Sequence, residues 1–183
     1  MRLRLVLAAV AVSASSTVLA DSLDINLSND TVQATYATNW RTADLSTGLL
    51  YNNDQDNWVA SVGLLASGER QTGQTRIEAG LGGKIYAASV SHDDVVALGL
   101  GGQFRVFPNN GPIGFSGYAY YAPEIVTFSD GKKLWEFGAR VEFEVVKKSA
   151  NVYLGYREVR VDLNNDPNVT VDSGFNVGVK ISF

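Results

Sequence analysis

The sequence predicts an all-β chain folded as an antiparallel, up-and-down transmembrane β-barrel of about ten strands, with eight as the alternative if the amino-terminal hairpin lies outside the wall. Three observations carry this expectation. The last nine residues alternate strictly, with Phe175, Val177, Val179, Ile181 and Phe183 on one face and Asn176, Gly178, Lys180 and Ser182 on the other. Several earlier segments oppose an apolar face to a charged one in the same way. The segments at Thr75, Val95, Leu134 and Asn151 run about 11 to 14 residues, longer than the usual soluble strand of about 5 to 6 and sufficient for a tilted membrane crossing of about 9 to 11.

The first twenty residues read as a leader: Arg2 and Arg4 precede the apolar run Leu5 to Val12, and small residues lead to Val18-Leu19-Ala20 before Asp21. Cleavage after Ala20 is expected, leaving residues 21–183 as one barrel domain of about 163 residues. The leader's apolar run is too short to span a bilayer as a helix. Removing Arg2 and Arg4 with it leaves 13 basic against 19 acidic residues, a formal charge of −6, which argues against nucleic acid as a partner. The chain has no cysteine, so disulfides are excluded, and 18 glycines with many Tyr, Phe and Val favour strands.

Taken in order, Leu23 to Leu27 is a short first strand, turned by Asn29-Asp30, and Thr31 to Thr38 sets Val32, Ala34 and Tyr36 on one face. Asn39-Trp40-Arg41 breaks that pattern. Ala43 to Tyr51 follows, aligning Leu45, Leu49 and Tyr51, and the polar run 52–57 ends it. Trp58 to Ala66 has a wholly apolar face. Thr75 to Tyr86 opposes Ile77, Ala79, Leu81 and Ile85 to Arg76, Glu78 and Lys84; Val95 to Phe107 opposes Leu98, Leu100 and Phe104 to Gln103 and Arg105. Pro112 to Tyr121 is aromatic on both faces, which leaves its orientation open. Leu134 to Val146 sets Trp135, Phe137, Val141 and Phe143 against Glu136, Arg140, Glu142 and Glu144. Asn151 to Asp162 carries Arg157 on its polar face, but its parity is lost at Glu158 and Val159. The terminal strand completes a count of ten.

A soluble periplasmic sandwich would also alternate, so strand length is joined by two further arguments. Short turns at Pro108 and Lys147 alternate with connections expected to be long and polar near Val126 and Asn165, as outer-membrane barrels place short turns inside and longer loops outside. Aromatic residues near segment ends, Tyr36, Tyr51, Trp58, Tyr86, Phe107, Trp135 and Phe183, are expected to form interfacial girdles. Open edges are not tolerated in lipid, so the strands must close.

The terminal segment resembles the assembly signal of bacterial outer-membrane barrels, alternating apolar residues closing on an aromatic. Gly99-Leu-Gly-Gly-Gln-Phe-Arg105, Gly117-Tyr-Ala-Tyr-Tyr-Ala-Pro-Glu124, Gly138-Ala-Arg140, Gly155-Tyr-Arg157 and Gly174-Phe-Asn-Val-Gly-Val-Lys-Ile-Ser-Phe183 together resemble the YfaZ family of outer-membrane proteins over most of the mature chain. That resemblance implies an outer-membrane location and a barrel, and no established activity. The partners it implies are outer-membrane lipids and lipopolysaccharide, with the barrel-assembly machinery during biogenesis; the chain is expected to be a monomer.

If the polar faces line the interior, the candidate lumen residues are Arg76, Glu78, Lys84, Arg105, Glu136, Arg140, Glu142, Glu144, Arg157 and Lys180. With Asp24, that is five acids against six bases, a nearly balanced set that predicts either an internal salt-bridge network or a narrow polar pathway, because isolated buried charge costs several kcal/mol. Inward glycines such as Gly82 and Gly101 either leave room or permit curvature. The stretches Gly80 to Ile85 and Gly99 to Phe104 lack the third glycine of a dinucleotide fingerprint and open no helix. Enzyme readings turn on His92, the sole histidine; beside Asp93 and Asp94, and opposite Asp54 and Asp56, it could imitate a protease dyad at a barrel mouth. The expectation is a non-enzymatic narrow channel or structural envelope component, with no cofactor and no metal. The acidic residues Asp54, Asp56, Asp93, Asp94, Glu124, Asp130, Asp166 and Asp172 are expected in outer loops, where they could bridge divalent cations to lipopolysaccharide phosphates.

Overall fold

The computed structural model describes residues 21–40, 43–91, 93–164 and 168–183. The leader and His92 lie outside the described residues.

Eleven strands form in chain order: β1 (Ser22–Leu27), β2 (Thr31–Trp40), β3 (Ala43–Asn52), β4 (Asn57–Thr72), β5 (Thr75–Val90), β6 (Asp93–Phe107), β7 (Ile113–Ala122), β8 (Thr127–Ser129), β9 (Gly131–Val146), β10 (Ala150–Leu163) and β11 (Val169–Ser182). Neighbours in sequence pair antiparallel around the wall, and β1 pairs with β11 as well as with β2, so a ten-strand sheet closes on itself. The amino-terminal hairpin is therefore part of the wall, which removes the eight-strand alternative. Backbone bonds of 2.9 Å run both ways between Asp21 and Phe183 and fix the seam. The three-residue β8 pairs with β6 beyond the reach of β7, filling a place that β7 leaves when it ends at Ala122.

Strands overrun the bounds that alternation suggests. Asn39 and Trp40 continue β2, and β4 runs on to Thr72 through residues expected to be a connection. The connections expected to be long are shortened: a 3-10 helix, Glu124–Val126, and β8 occupy the first, and β11 begins at Val169 in the second. Asp93 and Asp94 open β6 and Asp172 lies within β11, rather than in loops. Backbone pairing needs no apolar face once a strand leaves lipid, so polar residues extend the ladder where the periodic signal stops.

Odd residues of β5 and β9 and even residues of β6 point outward. Leu81 and Phe175 are each 75% exposed, and Ile85, Leu100, Val141 and Val177 are likewise open on the outer face. Such a continuous apolar band would be an aggregation hazard in water and is the surface a barrel presents to hydrocarbon. β10 keeps odd residues inward throughout, and its pattern is lost at Glu158 only because the inward residues Val159, Val161 and Leu163 are apolar and the outward ones polar. The break in parity lies across from it, in β11. Val159 opposes Asp172 and Arg160 opposes Thr170, so Val171 is an extra residue, a β-bulge that turns both Val171 and Asp172 into the buried interior.

Two expected girdle aromatics are elsewhere. Tyr86 and Phe107 are buried inside the barrel, whereas Trp40, Tyr51, Trp58 and Phe183 are open on the outside. Glycines explain the inward rings: a Cβ on Gly99 would lie 2.9 Å from the Tyr86 ring and one on Gly114 would lie 2.5 Å from that of Phe107. Gly82 and Gly101 face each other across β5 and β6, and a Cβ on either would lie 2.0 Å from a neighbouring strand's carbonyl oxygen. No side chain fits there, so this pair serves sheet curvature rather than open space.

Candidate functional site

The candidate site is the barrel interior, which divides along its axis. One end, here the terminal end, holds Asp21, Phe183 and the turns at 73–74, 108–112 and 147–149; the far end holds the connections at 53–56 and 123–130.

Toward the terminal end the inward faces of β5, β6, β9, β1 and β11 build a polar cavity of about 570 Å³. Nine of the ten candidate residues border it: Arg76, Glu78, Lys84, Arg105, Glu136, Arg140, Glu142, Glu144 and Lys180. Their pairings cross the lumen. Arg76 reaches Glu144 at 2.5 Å and Glu78 at 3.4 Å. The Arg105 Nε donates to Glu142 at 2.9 Å, and Glu78 lies 3.5 Å from the same guanidinium. Lys84 Nζ and the Tyr86 hydroxyl both donate to Glu136, at 3.1 and 2.8 Å. Arg140 donates to Asp24 at 2.7 Å while lying 4.2 Å over the Tyr153 ring. Lys180 is the exception, with no carboxylate within 4.0 Å among the described residues.

The far half is filled. Leu50, Val59, Ala88, Val90, Val95, Ala97, Leu134, Val159, Val161, Leu163 and Val171 form one buried apolar cluster inside the barrel, with Val90, Leu134 and Val161 at 0% exposure. The remaining sector, bounded by β1, β2, β10 and β11, is closed by a polar knot on Arg157, which is 1% exposed. Its guanidinium donates to Asp172 at 2.6 Å, Asn26 at 3.0 Å and Thr31 at 2.9 Å, and also to Gln33. Thr31 donates in turn to Asp172 at 2.9 Å, and Asn26 to Asn176 at 2.8 Å. Arg157, the tenth candidate, therefore sits in the packed half and away from the cavity.

Sequence reasoning missed two parts of this interior. The apolar filling was hidden because Val90, Val95 and Val161 sit at strand ends on the face that carries charge further along. Asp172 and Asn26 were missed as partners of Arg157 because they are far apart in the chain. Of the acids expected to face His92, which itself lies outside the described residues, Asp56 accepts the Tyr51 hydroxyl at 2.7 Å, and the backbone N–H of Asp54 donates to the Asn52 side chain. No group of three His, Cys, Asp or Glu side chains able to hold a metal ion occurs among the described residues. The terminal-strand residues Phe175, Val177, Val179, Ile181 and Phe183 all lie on the outer face, apart from the cavity.

A family model described as YfaZ precursor matches residues 1–183. Among solved structures, the outer membrane channel DcaP of Acinetobacter baumannii aligns with a TM-score of 0.39 and 11% identity over 87% of this chain and 54% of that one, so the chain spans about half its length. The NanC porin aligns with a TM-score of 0.41 and 10% identity over 90% of this chain and 100% of that one. The outer membrane protein opdK from Pseudomonas aeruginosa gives 0.29 and 10%, over 84% of this chain and 57% of that one. No curated protein matches the sequence.

Proposed function

The chain belongs to the YfaZ precursor family, and on that premise we propose that it is a non-enzymatic β-barrel of the bacterial outer membrane whose lumen is closed at rest, an envelope component rather than an open pore. The observation that carries this is the filled far half, where Val90, Leu134 and Val161 are fully buried, Arg157 is held in its polar knot, and none of the four lines the cavity. Barrels of about eight strands are filled by their side chains and far larger ones leave an aqueous channel, so ten strands sit near the filled end. The connection at 123–130 is the longest, and by the rule that longer loops face outward the far end is external and the cavity opens to the periplasm. In this orientation the closing side is the outer one.

Planar-bilayer recording of folded, heat-modifiable protein tests the proposal. The native protein is expected to be silent across voltage, and Leu134→Ser with Leu163→Ser to give discrete steps by wetting the seal. Discrete steps from the native protein overturn it. In the opened variant, Arg105→Glu and Lys180→Glu should each shift selectivity toward cations, since both side chains border the interior cavity.

The outward alternation of Phe175 to Phe183 supports a role in presenting the chain to the barrel-assembly machinery. Phe183→Ser should lower the folded, membrane-inserted fraction several-fold in cells while leaving refolding into detergent unchanged; equal loss in both would assign the residue to stability instead.

A further inference from the structure

Outside the barrel, the far-end margin is not uniform. On β3 and β4 it carries Tyr51 and Trp58, aromatic rings of the interfacial kind, whereas on β9 and β10 it carries Lys133, Trp135, Glu158, Arg160 and Asp162. Directly below these charges the wall returns to Phe137, Tyr156 and Phe175, ring against ring at 5.9 and 5.8 Å. The charges therefore stand at the level where hydrocarbon gives way to headgroups. Lys133, Arg160 and Asp162 also border a groove of about 700 Å³, lined on the outer wall by Leu100, Ala119, Trp135 and Phe137 and reaching the inward-facing Tyr120 and Glu136 at its base.

The acids of this cluster are already committed; of its two cations Arg160 faces one of them through Nε, and Lys133 has no carboxylate partner among the described residues. Glu158 is nearly buried, ion-paired with Arg160 and accepting the Tyr156 hydroxyl at 3.3 Å. Asp162 accepts the backbone N–H of Asn168 at 3.2 Å. Lys133 stands opposite Asp162 in the ladder, yet it is exposed and has no carboxylate within 4.0 Å among the described residues. The Arg160 side chain is 39% exposed and lies 5.4 Å over the Trp135 ring, which holds its plane beside the groove.

We propose that this groove binds the phosphorylated headgroup of an outer-leaflet lipid, with phosphate oxygens on Lys133 and Arg160 and an acyl chain along Leu100, Ala119 and Phe137. An apolar floor continuous with the bilayer favours a lipid over a soluble anion, and a pair of cations at the headgroup level favours phosphate over an uncharged sugar. The site rests on the outer-membrane reading and on the far end facing outward.

The test uses the folded mature protein in detergent, native mass spectrometry, and two probes: bisphosphorylated lipid A and the same lipid with its phosphates removed. The native protein should retain the phosphorylated form about tenfold more. Lys133→Gln, an exposed change that breaks no ion pair, should cut that retention several-fold, and Lys133→Gln with Arg160→Gln should bring both lipids to one level. Lys147→Gln with Lys148→Gln, at the other end, should change nothing. Equal retention of the two lipids by the native protein, or retention insensitive to Lys133→Gln and to the double variant, overturns the site. Flotation with lipid vesicles separates the failures: protein that floats but does not discriminate loses the groove and keeps the barrel, whereas protein that does not float loses both.

Discussion

Strand β5 faces the interior with Tyr86, Ala88 and Val90 near the far end and with Arg76, Glu78 and Lys84 toward the terminal end. Strand β9 repeats the change, from Leu134 to Arg140, Glu142 and Glu144. The same inward face thus supplies a dry core at one end and a hydrated cavity at the other. In the dry half the buried guanidinium of Arg157 is satisfied by four neighbours, whereas the charges of the wet half, Lys180 apart, manage with one or two partners each. The contrast teaches that the cost of a charge inside this barrel is set by its height along the axis rather than by its being inside.

If that is right, the largest loss should follow from breaking the knot. Arg157→Met leaves Asp172 buried without its cation and should cost about 3 to 5 kcal/mol, read as a lowered urea midpoint in vesicles. Arg157→Met with Asp172→Leu should recover much of this, because the pair can be replaced by apolar volume. A single variant as stable as the native protein would mean that water reaches Arg157 and that the two halves do not differ.

Next should come Leu134→Ala, at about 2 to 5 kcal/mol from lost burial and the cavity it leaves. Arg105→Gln in the wet half should cost less, about 1.5 kcal/mol, since the charged hydrogen bonds it loses are partly replaced by water. The urea midpoints of the two variants, measured side by side, check the ordering. A larger loss at Arg105 than at Leu134 would place the energetic core in the charged cavity.

Most of the wall was legible in the sequence because period-two alternation marks the lipid-facing residues directly. Ile77, Leu81, Leu100, Val141 and Val177 all face outward as their spacing requires. Strand ends were not legible, since β4 beyond Ala66 and β11 before Phe175 are polar on the outside and still paired. The bulge at Val171 was not legible either: one inserted residue reverses parity and so hides Asp172, the partner that makes sense of Arg157. Nor does alternation distinguish the inward glycines that curve the sheet, such as Gly82 and Gly101, from those that receive a ring, such as Gly178 beneath Tyr153.

The smallest effect should come from the pair that lies outside both regimes. Lys148, in the turn between β9 and β10, reaches Glu69 of β4 at 3.0 Å across the terminal mouth, with both side chains about half exposed. It resembles the lumen pairs in geometry alone. In bulk water each partner is solvated whether or not the other is present, and ordering two long side chains opposes the attraction, so Lys148→Ala should change stability by no more than about 1 kcal/mol. Raising salt should erase the difference, since exposed charges are screened. A loss comparable with that of Arg105→Gln, persisting in high salt, would show that the mouth is dry and that the cavity is closed at both ends. That outcome would replace the two-regime interior with one sealed compartment and make Lys148 and Glu69 its inner gate.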